Sequence, residues 1–289
     1  MNPALESMLS RYELRSSEHY AQALREIVQE LALLGLWRSK FFEHAALYGG
    51  TALRILHGLN RFSEDLDFSL LRPRSDFPLD RHLDAVRMEL ASFGFDVEVR
   101  RKDKAVDNRI HQGLVQGRIR TLLVAIGAQQ QILLGFNPEQ KIKVKIELDV
   151  DPPPGFTTHA RTLLQPIPFS VNAYQPSDLF AGKLHAVLCR RWKTRVNGRD
   201  WYDLVWFVGR TIPARLSHLQ HRLEHSGNWP GGRELDLPGL QELLHERIEK
   251  LDVASAQAEV EPFVDDPASI LLWSRDFFHD LVTQHLRAT

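Results

Sequence analysis

The stretch YGGTALRILHGLNRFSEDLDF, residues 48–68, decides how this chain is read. A short apolar run, Ala45 to Tyr48, meets two glycines; a helical segment follows over residues 51–57, and a strand is expected over residues 61–71. Along a strand, side chains two apart share a face. Asp65 and Asp67 therefore project together, while Leu66 and Phe68 turn to a core. Carboxylates held a few ångströms apart repel and resist ionising together. A divalent cation between them removes the conflict, and magnesium favours such oxygen ligands, with phosphate oxygens completing its shell.

The glycines supply the second half of the pattern. Gly49 and Gly50 let the backbone come close to a bound group, and the helix that opens at Thr51 presents free N–H donors to an anion. A third acid comes from the strand KIKVKIELDV, residues 141–150. Ile142, Val144, Ile146 and Leu148 form its apolar face; Lys143, Lys145, Glu147 and Asp149 form the other. Glu147 or Asp149 can join the aspartate pair, and Lys145 can meet phosphate charge. A glycine pair alone is usually a turn, and an Asp-x-Asp alone is common on surface strands. Together, in this order and spacing, they describe a phosphate cradle beside a two-metal site, the equipment of nucleotidyl transfer from a nucleoside triphosphate.

Composition sets the outer bounds. The chain has 289 residues, 43% hydrophobic and 25% charged, which is ordinary for a globular protein of two subdomains. The formal net charge of -1 gives no global basic field, so any polyanion contact must come from a local patch. A single cysteine, Cys189, excludes an internal disulfide framework and fits the cytoplasm. The first twenty residues are polar and lack the apolar core of a signal peptide. No stretch approaches the roughly 18 apolar residues of a membrane span.

The expected fold is α/β. Residues 16–37 form an amphipathic helix capped by Ser16 or Ser17, and residues 79–93 form another, closed by Gly94. Strands are expected over 95–100, 117–126, 131–136 and 141–150, ended by the Pro-rich 151–156. Residues 1–156 then make a core with a mixed β-sheet, and residues 157–289 a mainly helical domain, with helices over 177–191, 199–209, 212–224, 239–250 and 267–286 and a Gly- and Pro-rich loop over 225–239.

Further candidates lie in the helical part. Lys183 in AGKLHAVLCRR, residues 181–191, is set among Leu184, Ala186, Val187 and Leu188, where an ammonium seeks an anion or snorkels to water. In GRDWYDLVWFV, residues 198–208, Asp200 and Asp203 share a helix face and can pair with Arg199 or with arginines of the preceding helix. RRWKTRVNGR, residues 190–199, holds five basic residues around Trp192, which suits either an RNA backbone with a stacked base or a solvated loop. His218, His221 and His225 share a face that permits a metal but reads more simply as a polar helix surface. His185 can approach a nucleotide or serve the structure. Cys189 has no evident base to make it a nucleophile.

GGTALRILHGLNRFSEDLDF resembles the first motif of the AbiEii/AbiGii toxin family, nucleotidyltransferases of the DNA polymerase β type, with Gly50, Arg61, Ser63, Asp65, Leu66, Asp67 and Phe68 in the motif's positions. Gly50 stands where many members of the wider superfamily carry Ser, which removes one hydroxyl; the toxin branch commonly has Gly-Gly. The resemblance runs from residue 48 to about 208. It implies that Asp65, Asp67 and, from the Lys-Ile-Glu pattern, Glu147 hold two magnesium ions. It implies that Gly49, Gly50, Thr51, Ser63 and Lys145 flank the triphosphate, that Lys183 binds phosphate, and that Arg199, Asp200 and Asp203 form the Arg-Asp-x-x-Asp-Leu motif. At the level of biology it implies the toxin of a type IV toxin–antitoxin pair, with a cognate antitoxin and, as in some relatives, a tRNA 3′ end as acceptor. The same residues would serve a transferase for a small acceptor such as an antibiotic or sugar, or a non-catalytic nucleotide-binding module.

Overall fold

The computed structural model describes residues 2–102, 109–190, 197–264 and 266–289. They form two compact units between which the chain passes repeatedly: the described residues within 1–56, 62–152 and 159–173 make the first, and those within 57–61, 153–158 and 174–289 the second.

The first unit contains, in chain order, α1 (Pro3–Leu9), α2 (Ser17–Arg38), β1 (Ala45–Tyr48), α3 (Gly49–His57), β2 (Leu66–Leu70), α4 (Leu79–Ser92), β3 (Glu98–Lys102), β4 (Ile110–Arg118), α5 (Ile119–Ala125), α6 (Gln130–Leu134), β5 (Lys141–Asp149), β6 (Thr158–Leu163) and β7 (Phe169–Tyr174). Among the described residues the strands form one sheet of seven in the order β3-β4-β5-β2-β1-β7-β6. It is mixed: β1 runs antiparallel to β2 and parallel to β7, and β2 runs parallel to β5. The α/β expectation is met.

Helix α2 begins where its cap was read, with the Ser16 hydroxyl accepting from the His19 N–H at 3.2 Å. It is not simply amphipathic, since every residue from Ile27 to Leu36 is buried and both faces are covered. Gly35 marks its tightest crossing: a Cβ there would sit 2.9 Å from the Val86 Cα on α4.

Several expected elements differ. The strand expected over 117–126 is the end of β4 followed by helix α5. Ile119, Leu122, Leu123 and Ile126 recur at helical spacing, and all four are buried. Residues 131–136 likewise belong to or follow the short helix α6, whose glutamines favour helix. Strand β4 went unread because Gly113 and Gly117 look like turn residues; Gly113 is instead a close approach, where a Cβ would lie 2.6 Å from Leu83 Cδ2 of α4. Strands β6 and β7 went unread in a proline-rich stretch. The strand expected over 61–71 is confined to β2, with Arg61 making only an isolated bridge to Val264.

The second unit is helical: α7 (Pro176–Cys189), α8 (Gly198–Gly209), α9 (Leu216–His225), α10 (Leu237–Glu249), α11 (Val253–Val260) and α12 (Arg275–Asp280). The single helix expected over 267–286 is broken into a 3-10 turn (Pro267–Ile270), α12 and a π turn (Leu281–His285). Phe180 of α7 and Phe207 of α8 stack at 4.5 Å. Gly198 opens α8 against α11, where a Cβ would fall 1.9 Å from the Ala256 carbonyl oxygen. No described helix is long and apolar enough to cross a membrane.

Candidate active site

In the first unit the acidic residues gather at the junction of β1, β2 and β5. The register sets Tyr48 beside Asp67 on one side and Glu147 beside Asp67 on the other. Leu66, Phe68, Ile146 and Leu148 are buried on the opposite face, so the pleat turns Asp67 and Glu147 outward together. Asp65 precedes the strand, its carboxylate 3.5 Å from the exposed Lys145 ammonium. Asp149 sits level with Ser69, and its carboxylate accepts from the Asp151 N–H at 3.0 Å. Glu147 is therefore the acid of β5 that neighbours Asp67.

Two features hold these acids in place. Gln112 of β4 donates to Glu147 Oε1 at 2.6 Å and is itself buried. Gly49 turns the chain from β1 into α3 with φ of 79°, and a Cβ there would sit 2.2 Å from Asp67 Oδ2. That position therefore needs glycine both for its left-handed backbone and for the space the Asp67 carboxylate occupies. Gly50 and Thr51 are buried in the first turn of α3, and the Thr51 hydroxyl donates to the Asp65 carbonyl oxygen. Thr51 thus fixes the backbone at Asp65, and what it can offer a ligand is its peptide group. The Ser63 carbonyl accepts from Gln29 of α2 at 3.0 Å.

The donors are of the kind magnesium takes. The acids supply only oxygens, and Gly49 brings its backbone close to the Asp67 carboxylate. As they stand the acids do not form a closed cage: no group of three or more His, Cys, Asp or Glu side chains able to hold an ion occurs among the described residues. An open set suits an ion that takes part of its shell from a nucleotide's phosphates.

In the second unit Lys183, Asp200, Asp203 and Arg61 form one buried ionic cluster. Arg61 grips Asp203 bidentately, Nε to Oδ1 at 2.7 Å and Nη2 to Oδ2 at 2.6 Å. The Lys183 ammonium lies 2.7 Å from Asp203 Oδ2 and 3.5 Å from Asp200 Oδ1. Asp200 also meets Arg190 at 3.2 Å and accepts from the Asn197 amide. Burial alone would push the Asp203 carboxyl up, but Arg61 and Lys183 beside it hold it below the usual aspartate range. Burial would likewise lower Arg61, and Asp203 more than offsets it, so the guanidinium is raised. Arg199 stands apart from these four: its Nε lies 3.2 Å from Glu259 of α11 and its guanidinium covers the Phe263 ring at 4.3 Å. The acids thus pair with Arg61, Lys183 and Arg190 rather than with Arg199.

The remaining candidates take structural positions. His185 bonds Ser226 at 2.9 Å, and burial, followed by the charges of Arg222 and Arg190, pushes it down to about 4. His218 is buried, with Nδ1 2.9 Å from the Pro154 carbonyl oxygen. Of the basic segment 190–199, residues 191–196, including Trp192, lie outside the described residues. Sequence reasoning missed Gln112, because β4 was not seen, and Glu259, which no local pattern marks.

A family model described as the nucleotidyl transferase AbiEii toxin of a type IV toxin–antitoxin system matches residues 31–280. The chain belongs to the AbiEii family. As a member it is a nucleotidyltransferase, and the family implies a nucleoside triphosphate substrate and an antitoxin partner. No curated protein matches the AbiEii chain. Among solved structures it is similar to a nucleotidyltransferase candidate from H. pylori (TM-score 0.48, 16% identity, 89% of this chain and 91% of that one). It is also similar to JHP933 from Helicobacter pylori (0.46, 16%, 89% and 88%) and to an antigenic nucleotidyltransferase-like protein from Paracoccidioides brasiliensis (0.39, 16%, 83% and 96%).

Proposed function

We propose that this AbiEii nucleotidyltransferase moves a nucleoside monophosphate from a nucleoside triphosphate to an acceptor hydroxyl, with magnesium held by Asp65, Asp67 and Glu147. The observation that carries this reading is the register of Asp67 beside Glu147, with Asp65 two residues before and Gly49 pressed against the Asp67 carboxylate. In the reaction the acceptor oxygen attacks the α-phosphorus, the bond to the β-phosphate oxygen breaks, and pyrophosphate leaves. Magnesium, when bound, supplies the positive charge that steadies the phosphate oxygens. The chain's own residues do the rest. Gln112 keeps Glu147 oriented, Thr51 fixes the backbone at Asp65, and Lys145 answers phosphate charge. The peptide groups of Gly49 and Gly50 come close because no side chain intervenes. Lys183, paired with Asp200 and Asp203, is assigned a phosphate-binding role on the family motif. The acceptor we propose is the 3′ end of tRNA, with the protein acting in the cytoplasm under an antitoxin's control.

The test is incubation of the full chain with each α-labelled nucleoside triphosphate, magnesium and total tRNA. We expect label on the RNA, and a loss of at least about a hundredfold in folded Asp67→Asn and Glu147→Gln proteins. Label on a small acceptor but not on RNA would overturn the tRNA assignment. Undiminished transfer by both variants would overturn the site.

A further inference from the structure

The second unit carries a histidine pair that the reaction does not use. His245 of α10 and His279 of α12 point Nδ1 at Nδ1 across 2.6 Å, their rings 4.8 Å apart and inclined by 26°. Their outer nitrogens each have an oxygen partner. The Thr283 hydroxyl, in the π turn after α12, donates to the His279 carbonyl at 2.8 Å. Its oxygen is left to accept from His245 Nε2 at 3.4 Å. His279 Nε2 lies 3.0 Å from Glu249 Oε1, and an ionised carboxylate only accepts. With both Nε2 atoms donating, each neutral imidazole has a bare lone pair on Nδ1. In that tautomer two lone pairs face each other across 2.6 Å, an arrangement that a cation between them satisfies.

We propose that His245 Nδ1 and His279 Nδ1 form a binding site for a divalent transition-metal ion, with Zn2+ as its reference ligand, which pins α10 to α12. Imidazole nitrogen selects zinc-like ions over magnesium or calcium. Each ring already has the partner that a metal-bound histidine uses to set its orientation: Glu249 on one and Thr283 on the other. Tetrahedral zinc at about 2.0–2.1 Å from each nitrogen separates the two by roughly 3.3 Å, so the rings need to part by somewhat under an ångström. The His279 side chain is 27% exposed, which gives the ion a path and the ring room to move. The helices are held in register independently, because Gln241 of α10 donates to the Val282 carbonyl at 3.0 Å and to the Thr283 carbonyl at 3.3 Å. No third protein ligand gathers there among the described residues, so solvent completes the shell.

The test is titration of the full chain with zinc chloride by calorimetry, and with Co2+ by visible absorption. We expect one equivalent to bind with the absorption of a nitrogen- and oxygen-ligated ion. His245→Gln and His279→Gln should abolish that equivalent, Glu249→Gln should weaken it about 10- to 100-fold, and Asp67→Asn should leave it intact. Binding that survives in the His245→Gln/His279→Gln double variant overturns the proposal, as does the absence of saturable binding. Should the histidine variants misfold, ¹⁵N NMR of the unaltered protein decides. Zinc must shift both Nδ1 resonances to coordinated values; a proton that stays shared between them in the presence of zinc refutes the site.

Discussion

Removing the charge of Asp203 by Asp203→Asn should cost about 3–5 kcal/mol of stability, the usual cost of breaking a buried ion pair from one side. The figure follows from the cluster's geometry. The Asp203 side chain is 0% exposed and that of Arg61 3%, and the two meet through bonds of 2.7 and 2.6 Å. Lys183 adds a third contact at 2.7 Å. At an effective dielectric of about 20, charges about 4 Å apart attract by about 4 kcal/mol. Removing the carboxylate's charge forfeits two such attractions while Arg61 stays buried, which is why one-sided loss is costly. In Asp203→Asn the guanidinium keeps an acceptor but loses its counter-charge, and Lys183 retains only the more distant Asp200. Urea unfolding followed by tryptophan fluorescence, with Arg61→Met and the Arg61→Met/Asp203→Asn double variant, closes a double-mutant cycle. The double variant should be more stable than the summed singles by about 2 kcal/mol, because it leaves no unpaired charge between the two positions. A cost below about 1 kcal/mol for Asp203→Asn, or strict additivity, would refute the claim that this cluster is a mutually dependent ionic unit.

Gly49→Ala should damage activity more than stability. The left-handed backbone costs about 1–2 kcal/mol, while a Cβ 2.2 Å from Asp67 Oδ2 must displace the carboxylate, which is expected to slow transfer by about a hundredfold in single-turnover assays. Acid should loosen the second unit through His218. Burial, followed by the Arg222 charge, lowers this histidine from 6.5 to about 4. Its folded value lies below its unfolded one, so its contribution is complete above pH 6.5 and is lost as pH falls toward 4, about 3 kcal/mol in all. Urea midpoints measured across that window should fall less steeply in His218→Gln than in the unaltered protein.

The candidate site was legible because its chemistry is local. Leu66, Asp67 and Phe68 alternate on β2, just after Asp65, and KIKVKIELDV alternates on another strand, so period-two patterning assigned Asp67 and Glu147 to a face. What patterning could not give was adjacency. Nothing in the sequence says that β2 lies beside β5 or that Gln112 reaches Glu147, since those contacts depend on sheet order. Helix α5 was misread for a different reason: an apolar run such as RIRTLLVAI suits a strand or a helix, and only the burial of Ile119, Leu122, Leu123 and Ile126 together decides. Lys183 was singled out from its apolar neighbours and from the family motif. Its second anchor, Arg61 on Asp203, spans 142 positions of sequence and leaves no periodic trace.

The place of β1 in the sheet bears on how the protein is made. Its two neighbours are β2, which follows at once, and β7, which is translated more than a hundred residues later. At roughly 10 residues per second, one edge of this buried strand stays open on the ribosome for on the order of ten seconds. During that interval the nascent chain offers Ala45, Ala46 and Leu47 to any passing strand. A polypeptide with that opening needs shelter while it is being synthesised, so its yield in the cell should depend on chaperones that bind emerging chains.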